Sequence, residues 1–217
     1  MPTVGEVLPR LLKDMGIDTV FGIPGVHTVE LYRGLPGTGI RHITPRHEQG
    51  AGFMADGYWR ASARPAACFI ISGPGMTNIA TAMGQAYADS VPMLVISAVL
   101  NRAELGRGEG RLHEMKDQSK MAEGVAAWSH TVMSPGELPA MLDRARSVFH
   151  SARPRPVHIE IPLDVIVAEA GDLSVAPAPP PPAPHPEAIS CAAELLRRAR
   201  RPLVILGGGA SRSAEDQ

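Results

Sequence analysis

Residues 66–78 read AACFIISGPGMTN: an apolar run from Ala66 to Ser72, a glycine-proline-glycine turn, and then the start of a helical pattern that continues to Asp89. A short continuous apolar run is what a strand covered on both faces requires, and glycine and proline after it mark a turn into the next element. The same grammar recurs on either side. Apolar runs at Thr19 to Ile23, Ile40 to Thr44, Met93 to Ala98 and Val157 to Ile161 are further candidate strands. Helical spacing is found near Val4 to Met15, Thr28 to Leu35, Glu48 to Ala61, Met76 to Asp89, Gln118 to Glu123 and Gly136 to Ala152. Strands alternating with helices predict an α/β fold, a doubly wound parallel sheet.

Composition limits what such a domain does. The chain has 217 residues, 44% of them hydrophobic, with 21 basic against 22 acidic side chains. That near balance lacks the basic excess that phosphate backbones select, so nucleic acid is not an expected partner. Residues 1–15 carry Glu6, Arg10, Lys13 and Asp14 among their apolar positions, unlike the core of a signal peptide, and no run is long enough for a membrane span. Two cysteines, Cys68 in an apolar run and Cys191 in a helical pattern, do not suggest a disulfide framework and suit a reducing, cytoplasmic setting.

Residues 176–186, APAPPPPAPHP, cannot build a core and predict an extended spacer. The expected organisation is a first domain over 1–170, a proline-rich linker over 171–186, and the start of a second α/β domain over 187–217. In that last part Glu187 to Arg200 reads as a helix and Pro202 to Gly209, PLVILGGG, as a strand entering a glycine turn. One helix and one strand cannot bury both their faces, so this tail is expected to be either the opening of a second domain or disordered, and a fragment of a longer protein is the favoured reading.

The chemistry is concentrated where strands end. Arg46-His47-Glu48-Gln49-Gly50-Ala51-Gly52 opens a helix after the second strand, and open α/β sheets bind ligands beyond the carboxyl ends of their strands, where helix N-termini present free N–H groups. Gly50, Gly52 and Gly57 each cost about 1 kcal/mol of helix propensity against alanine, which predicts close packing against another element or a ligand. Glu48 is the candidate acid there; the bland alternative is a solvated glutamate complementing the helix dipole. Gly22-Ile23-Pro24-Gly25-Val26-His27 and Ser72-Gly73-Pro74-Gly75-Met76-Thr77-Asn78 point to the same edge, and neither is a dinucleotide fingerprint or a P-loop.

Taken together with Val91-Pro92-Met93-Leu94, these motifs closely resemble the pyrimidine-binding domain of thiamine-diphosphate enzymes of the acetolactate synthase, pyruvate oxidase, 2-oxo-acid decarboxylase and benzaldehyde lyase type, over about residues 2 to 170. The resemblance implies a thiamine-dependent decarboxylase or carboligase acting on a 2-oxo acid, a lyase or transferase. It maps the family's cofactor-activating glutamate onto Glu48, whose carboxyl group would hydrogen-bond N1′ of the aminopyrimidine and promote the imino tautomer that takes the thiazolium C2 proton. Pro24, Gly25, Ser72, Pro74 and Asn78 would line the pyrimidine.

By position, His27 and His113 match proton-handling residues of relatives, an imidazole being suited to that work near neutral pH. His42, His130, His150 and His158 are read as surface or core. Arg111-Leu112-His113-Glu114-Met115 departs from the Phe-Gln-Glu usual in acetolactate synthases, which points away from acetolactate synthesis itself. The Gly-Asp-Gly motif that anchors Mg²⁺ and the diphosphate is not found, Gly171-Asp172-Leu173 being the nearest match. Those contacts would come from the diphosphate-binding domain of a partner subunit, in a homodimer or homotetramer with an apolar face at Phe53, Met54 and Met83. A different class of reading is a non-catalytic binding or assembly module that keeps the fold.

Overall fold

The computed structural model describes residues 1–210. Its first compact unit, residues 1–180, is built on six parallel strands. They are β1 (Thr19–Gly22), β2 (Arg41–Ile43), β3 (Ala67–Ile70), β4 (Met93–Val99), β5 (Ser129–Thr131) and β6 (Pro156–Pro162), in the order β2-β1-β3-β4-β6-β5. Eight helices accompany them among the described residues: α1 (Val4–Asp14), α2 (Val29–Arg33), α3 (Glu48–Ser62), α4 (Pro74–Asp89), α5 (Gln118–Glu123), α6 (Leu138–Ser151), α7 (Leu163–Ile166) and, outside the first unit, α8 (Pro186–Arg198).

Period-two alternation divides the sheet between two apolar layers. Val20, Ala67, Phe69, Leu94, Ile96, Ala98, Val157, Ile159 and Ile161 face one side, where they meet Leu8 and Leu11 of α1, Leu31 of α2 and Leu142 and Phe149 of α6. Their neighbours Phe21, Cys68, Ile70, Met93 and Val95 face the other side, against Ala51 and Ala55 of α3 and Met76, Ile79 and Met83 of α4. Each fully buried leucine or isoleucine here contributes about 1.5–3 kcal/mol relative to exposure. Connection handedness explains the division. The steps β2 to β3, β3 to β4 and β4 to β5 run one way along the sheet and carry α3, α4 and α5 on one face. The steps β1 to β2 and β5 to β6 run back, so right-handed crossovers place α2 and α6 on the opposite face. The expected doubly wound parallel sheet is therefore the fold.

The reversal of direction lies between β1 and β3, which pair side by side through Val20↔Ala67, Phe21↔Cys68 and Gly22↔Phe69. The turns that leave these two strands, carrying Gly22 to His27 and Ser72 to Asn78, flank one crevice, the position at which open α/β sheets bind ligands.

Three expectations are corrected. Strand β5 was not expected; it is a three-residue polar edge strand, Ser-His-Thr, held only by β6. Met83 does not lie on an apolar surface with Phe53 and Met54: it is fully buried in the core between helix and sheet, whereas Phe53 and Met54 are exposed. Residues 202–206 form no strand and are exposed; an apolar run becomes a strand only by pairing, and among the described residues these pair with no strand of their own unit.

Residues 173–176 run along the first unit: Leu173 is buried, and the Ala176 N–H donates to the Asp143 carboxylate on α6. The second unit, residues 181–217, contains α8, on which Ile189, Leu195 and Leu196 are exposed. The expected strand's closing glycines, Gly207 to Gly209, lie in and beside a turn, and residues 211–217 lie outside the described part. Among the described residues no helix is long and apolar enough to cross a membrane.

Candidate functional site

Glu48 is the first residue of α3, with His47 as N-cap, its Nδ1 accepting the Gln49 N–H at 3.1 Å. The Glu48 side chain is half-buried, and its Oε2 accepts a hydrogen bond from Asn78 Nδ2 at 2.9 Å. Asn78 projects from the first turns of α4, so this bond joins the two helices at the ends nearest the crevice. Oε1 accepts no hydrogen bond among the described residues. Gly75, between them, lets the backbone pass close: a Cβ there would stand 2.6 Å from Ile71 Cγ2 and 3.6 Å from Glu48 Cγ.

The turn after β1 is closed by Thr28, whose Oγ1 accepts the Gly25 N–H at 3.0 Å. It places Gly25 against Ile71, where a Cβ would come within 2.9 Å of Cδ1, and carries His27 inward. His27 is 7% exposed and its Nδ1 lies 2.6 Å from Oγ of the buried Ser72. Burial, and next the neighbouring His113, hold the His27 imidazole below the usual histidine range. The two rings meet edge to face with centroids 5.6 Å apart. His113 has φ +58°, and its Nδ1 is buried without a hydrogen-bond partner among the described residues. Such an orphaned ring nitrogen is a place where an incoming polar group gains a bond.

His113 sits on the loop between β4 and α5. Arg111 first, then Gly108 and Glu109, donate backbone N–H groups to the Glu114 carboxylate, which holds that carboxyl below its ordinary range and ties residues 108–114 together. The loop is pinned to the β3 turn at Gly73, which has φ +64° and ψ −111°; a Cβ there would fall 2.3 Å from the His113 carbonyl oxygen. Only glycine fits that contact.

The structure thus brings Glu48, Asn78, Gly25, Ser72, His27 and His113 to one crevice. Pro24 and Pro74 are exposed at its two turns, Pro74 as the first residue of α4. His42, His130, His150 and His158 are bonded within the fold: to the Gly22 carbonyl, to Glu137, to the Arg146 carbonyl, and to Ser97 and Ser129.

The chain matches the family model for the thiamine pyrophosphate enzyme, N-terminal TPP binding domain, over residues 2–121. The chain belongs to that family. Among curated relatives it is 59% identical over 216 residues to a Pseudomonas aeruginosa protein named as probable 2-ketoarginine decarboxylase AruI, covering 98% of this chain and 39% of that protein. It is 36% identical to acetolactate synthase isozyme 1 large subunit of Escherichia coli (95% of this chain, 37% of the relative) and 35% identical to oxalyl-CoA decarboxylase of the same organism (98% and 39%). The chain therefore spans about two fifths of the length of these relatives. A Mycobacterium smegmatis protein assigned to the thiamin diphosphate-dependent enzymes, solved by X-ray methods, superposes with a TM-score of 0.87 at 26% identity, covering 99% of this chain and 41% of that one.

Within this thiamine pyrophosphate domain one buried group was missed in the sequence. Gln118, Glu160, Ser97 and His158 form a polar network on the α3–α5 face of the sheet. The signal was present in Val-His-Ile-Glu-Ile at 157–161, where polar and apolar residues alternate and so place His158 and Glu160 on one face of β6.

Proposed function

We propose that this chain supplies the aminopyrimidine side of a thiamine-diphosphate-dependent enzyme that decarboxylates a 2-oxo acid. The observation that carries the reading is the crevice between β1 and β3, where a half-buried glutamate, held by Asn78 at the start of α3, keeps one carboxylate oxygen unpaired. That arrangement fits a flat heteroaromatic ring with a basic nitrogen, Glu48 Oε1 being the acceptor for a ring N–H. When bound, thiamine diphosphate supplies the carbanion-stabilising ring that a 2-oxo acid's loss of carbon dioxide requires. Glu48 holds the proton at the aminopyrimidine nitrogen, with Asn78 fixing its carboxyl group. His27 and His113 move protons on the reacting side, and burial keeps His27 neutral and able to accept one.

The substrate class we favour is a 2-oxo acid with a basic, extended side chain, supported by the 59% identity to the relative named for 2-ketoarginine. The diphosphate and its Mg²⁺ are assigned to a domain outside this chain, contributed by a partner subunit in a homodimer or homotetramer. A reducing, cytoplasmic setting suits the two free cysteines, buried Cys68 and exposed Cys191.

The test is Glu48→Gln in the full-length enzyme. Glutamine keeps the shape and can still accept from Asn78, but it cannot hold the proton, so turnover and exchange of the cofactor C2 proton, followed by NMR, are both expected to collapse. Wild-type exchange in the variant would remove the assignment and favour a non-catalytic module.

A further inference from the structure

Gln118, the first residue of α5, is 4% exposed, and its carboxamide joins three parts of the fold. Its Oε1 accepts the Gly73 N–H at 2.8 Å. Its Nε2 lies 2.9 Å from Glu160 Oε2 on β6, 3.0 Å from Ser97 Oγ and 3.1 Å from the Ala98 carbonyl oxygen on β4. The partners dictate which way the amide points. Gly73 N–H can only donate and so requires the oxygen; the Ala98 carbonyl and an ionised Glu160 can only accept and so require the nitrogen. Reversed, the amide would set N–H against N–H and oxygen against oxygen in a water-free site.

Glu160 is itself 3% exposed, and burial raises its carboxyl above the ordinary range, while Thr131 Oγ1, at 2.6 Å, and Gln118 donate to its two oxygens. The Gly73 N–H is the one that matters for chemistry. Gly73 holds φ +64° and ψ −111°, follows Ser72, which bonds His27, and packs against the backbone of His113. A helix that began one residue earlier, or a relaxed turn, would move Ser72 and the His113 loop together.

We propose that Gln118 is a positioning residue for the reaction: anchored by Glu160, its amide holds the Gly73 turn in the conformation that sets Ser72 against His27 and His113 beside it. Gln118 touches neither cofactor nor substrate; it acts through the turn. The inference rests on the thiamine-dependent reading only for what the crevice does, since the turn geometry stands independently.

The experiment uses the full-length enzyme with three variants: Gln118→Glu, Glu160→Gln and the double exchange Gln118→Glu/Glu160→Gln. The first opposes two carboxyl groups, which have a donor between them only when one takes up a proton, so both quantities are read at the alkaline end of the enzyme's working range. The double variant restores only the bond between positions 118 and 160, with the roles swapped: the carboxamide, now on β6, donates to the carboxylate, now on α5, which still accepts from Gly73, while the Ala98 carbonyl lacks its donor in both variants that carry Gln118→Glu. Two quantities are measured: hydrogen exchange of the peptide spanning residues 72–78, and kcat and KM separately. Losing one charge-assisted bond scales to about tenfold. Gln118→Glu is therefore expected to quicken exchange at 72–78 about tenfold and lower kcat about tenfold with a smaller change in KM. Glu160→Gln is expected to stay within about threefold of the parent in both, and the double variant to recover part of the single variant's loss, the Ala98 carbonyl remaining without a donor.

Parent-like exchange and kcat in Gln118→Glu overturn the proposal. So does a double variant no better than the single one, including the case where neither folds. Glu48→Gln run alongside separates the two readings: if it retains C2-proton exchange, the cofactor assignment fails, while exchange at residues 72–78 still decides the role of Gln118.

Discussion

The His27 imidazole reaches across the crevice between β1 and β3 to place Nδ1 2.6 Å from Ser72 Oγ. This contact joins the two turns on which the site is built, and it puts a buried ring where it is uncharged near neutral pH. Because burial and then His113 lower the His27 pKa from 6.5, a rate that needs neutral His27 is retained as pH falls through 6.5 and lost only below it. In the full-length enzyme the acid limb of kcat/KM should have its midpoint below pH 6.5. His27→Asn should abolish that limb and lower kcat by roughly 10²-fold. A variant with the parent's pH profile would assign the limb elsewhere.

Glycines at the site differ in what they do, and substitution separates them. Gly73→Ala would drive a Cβ into the His113 carbonyl at a backbone conformation that L residues avoid, so a loss of at least about 2 kcal/mol is expected in chemical unfolding. Gly52→Ala should also destabilise. Its Cβ would lie 2.5 Å from Ala82 Cβ and 3.0 Å from Ile79 Cγ1, so this glycine is explained by the close packing of α3 on α4 within the chain. Gly57 has no neighbour within 4 Å of a Cβ, and Gly57→Ala should stabilise the helix by about 0.5–1 kcal/mol. Equal effects at positions 52 and 57 would contradict this division.

The strands β1, β3, β4 and β6 were legible because strands covered on both faces need unbroken apolar runs, and the helices because their faces repeat. The site turns were legible for a related reason: glycine is required where backbone passes close to its neighbours, as at Gly73 against the His113 carbonyl, and proline punctuates the turn out of a strand. Strand β5 escaped because Ser129, His130 and Thr131 are polar and only three long; their pairing with β6 is a tertiary fact that no local pattern carries. The apolar run at 202–206 misled for the converse reason, an apolar stretch being no strand without an edge to pair with. Met83 was assigned to a surface because two helices with apolar residues do not reveal which of them turns inward. Gln118 was visible only as the start of a helix, since its significance comes from Gly73, Ser97 and Glu160, each at least 21 residues away.

His158 should govern acid stability. It is fully buried between Ser97 and Ser129, and burial lowers its pKa from 6.5 to about 3. The unfolded chain takes up a proton below about pH 6.5 that the folded chain refuses until about pH 3. Stability is therefore present above pH 6.5 and lost as pH falls toward 3, by an amount on the order of a few kcal/mol. Glu160 acts in the opposite sense: its raised pKa makes the fold favour the protonated carboxyl, so part of the loss is returned as pH falls through that raised value. His158→Gln, which can still donate and accept but cannot titrate, should show a smaller drop in Tm between pH 7.5 and pH 5 than the parent. An unchanged drop would place the acid sensitivity in other groups.

Assembly is tested on the outer face of α3. Gly50, Phe53, Met54 and Gly57 fall at the helical spacing i, i+3, i+4, i+7, with Phe53 44% and Met54 42% exposed. An apolar pair flanked by two glycines is a poor solvent surface and a good one for close approach by another helix. If a second subunit packs there, as the proposed partner-supplied diphosphate domain would require, the two glycines that the chain's own packing leaves unexplained have a cause. Phe53→Glu places a charge on this face without touching the core, so the subunit should fold with an unchanged Tm for its monomeric form, sediment as a monomer and lose activity. Gly57→Ala should weaken association while stabilising the helix, a pairing of effects that intrachain packing cannot produce. A Phe53→Glu protein that sediments as a fully active monomer would remove both the interface and the site shared between subunits.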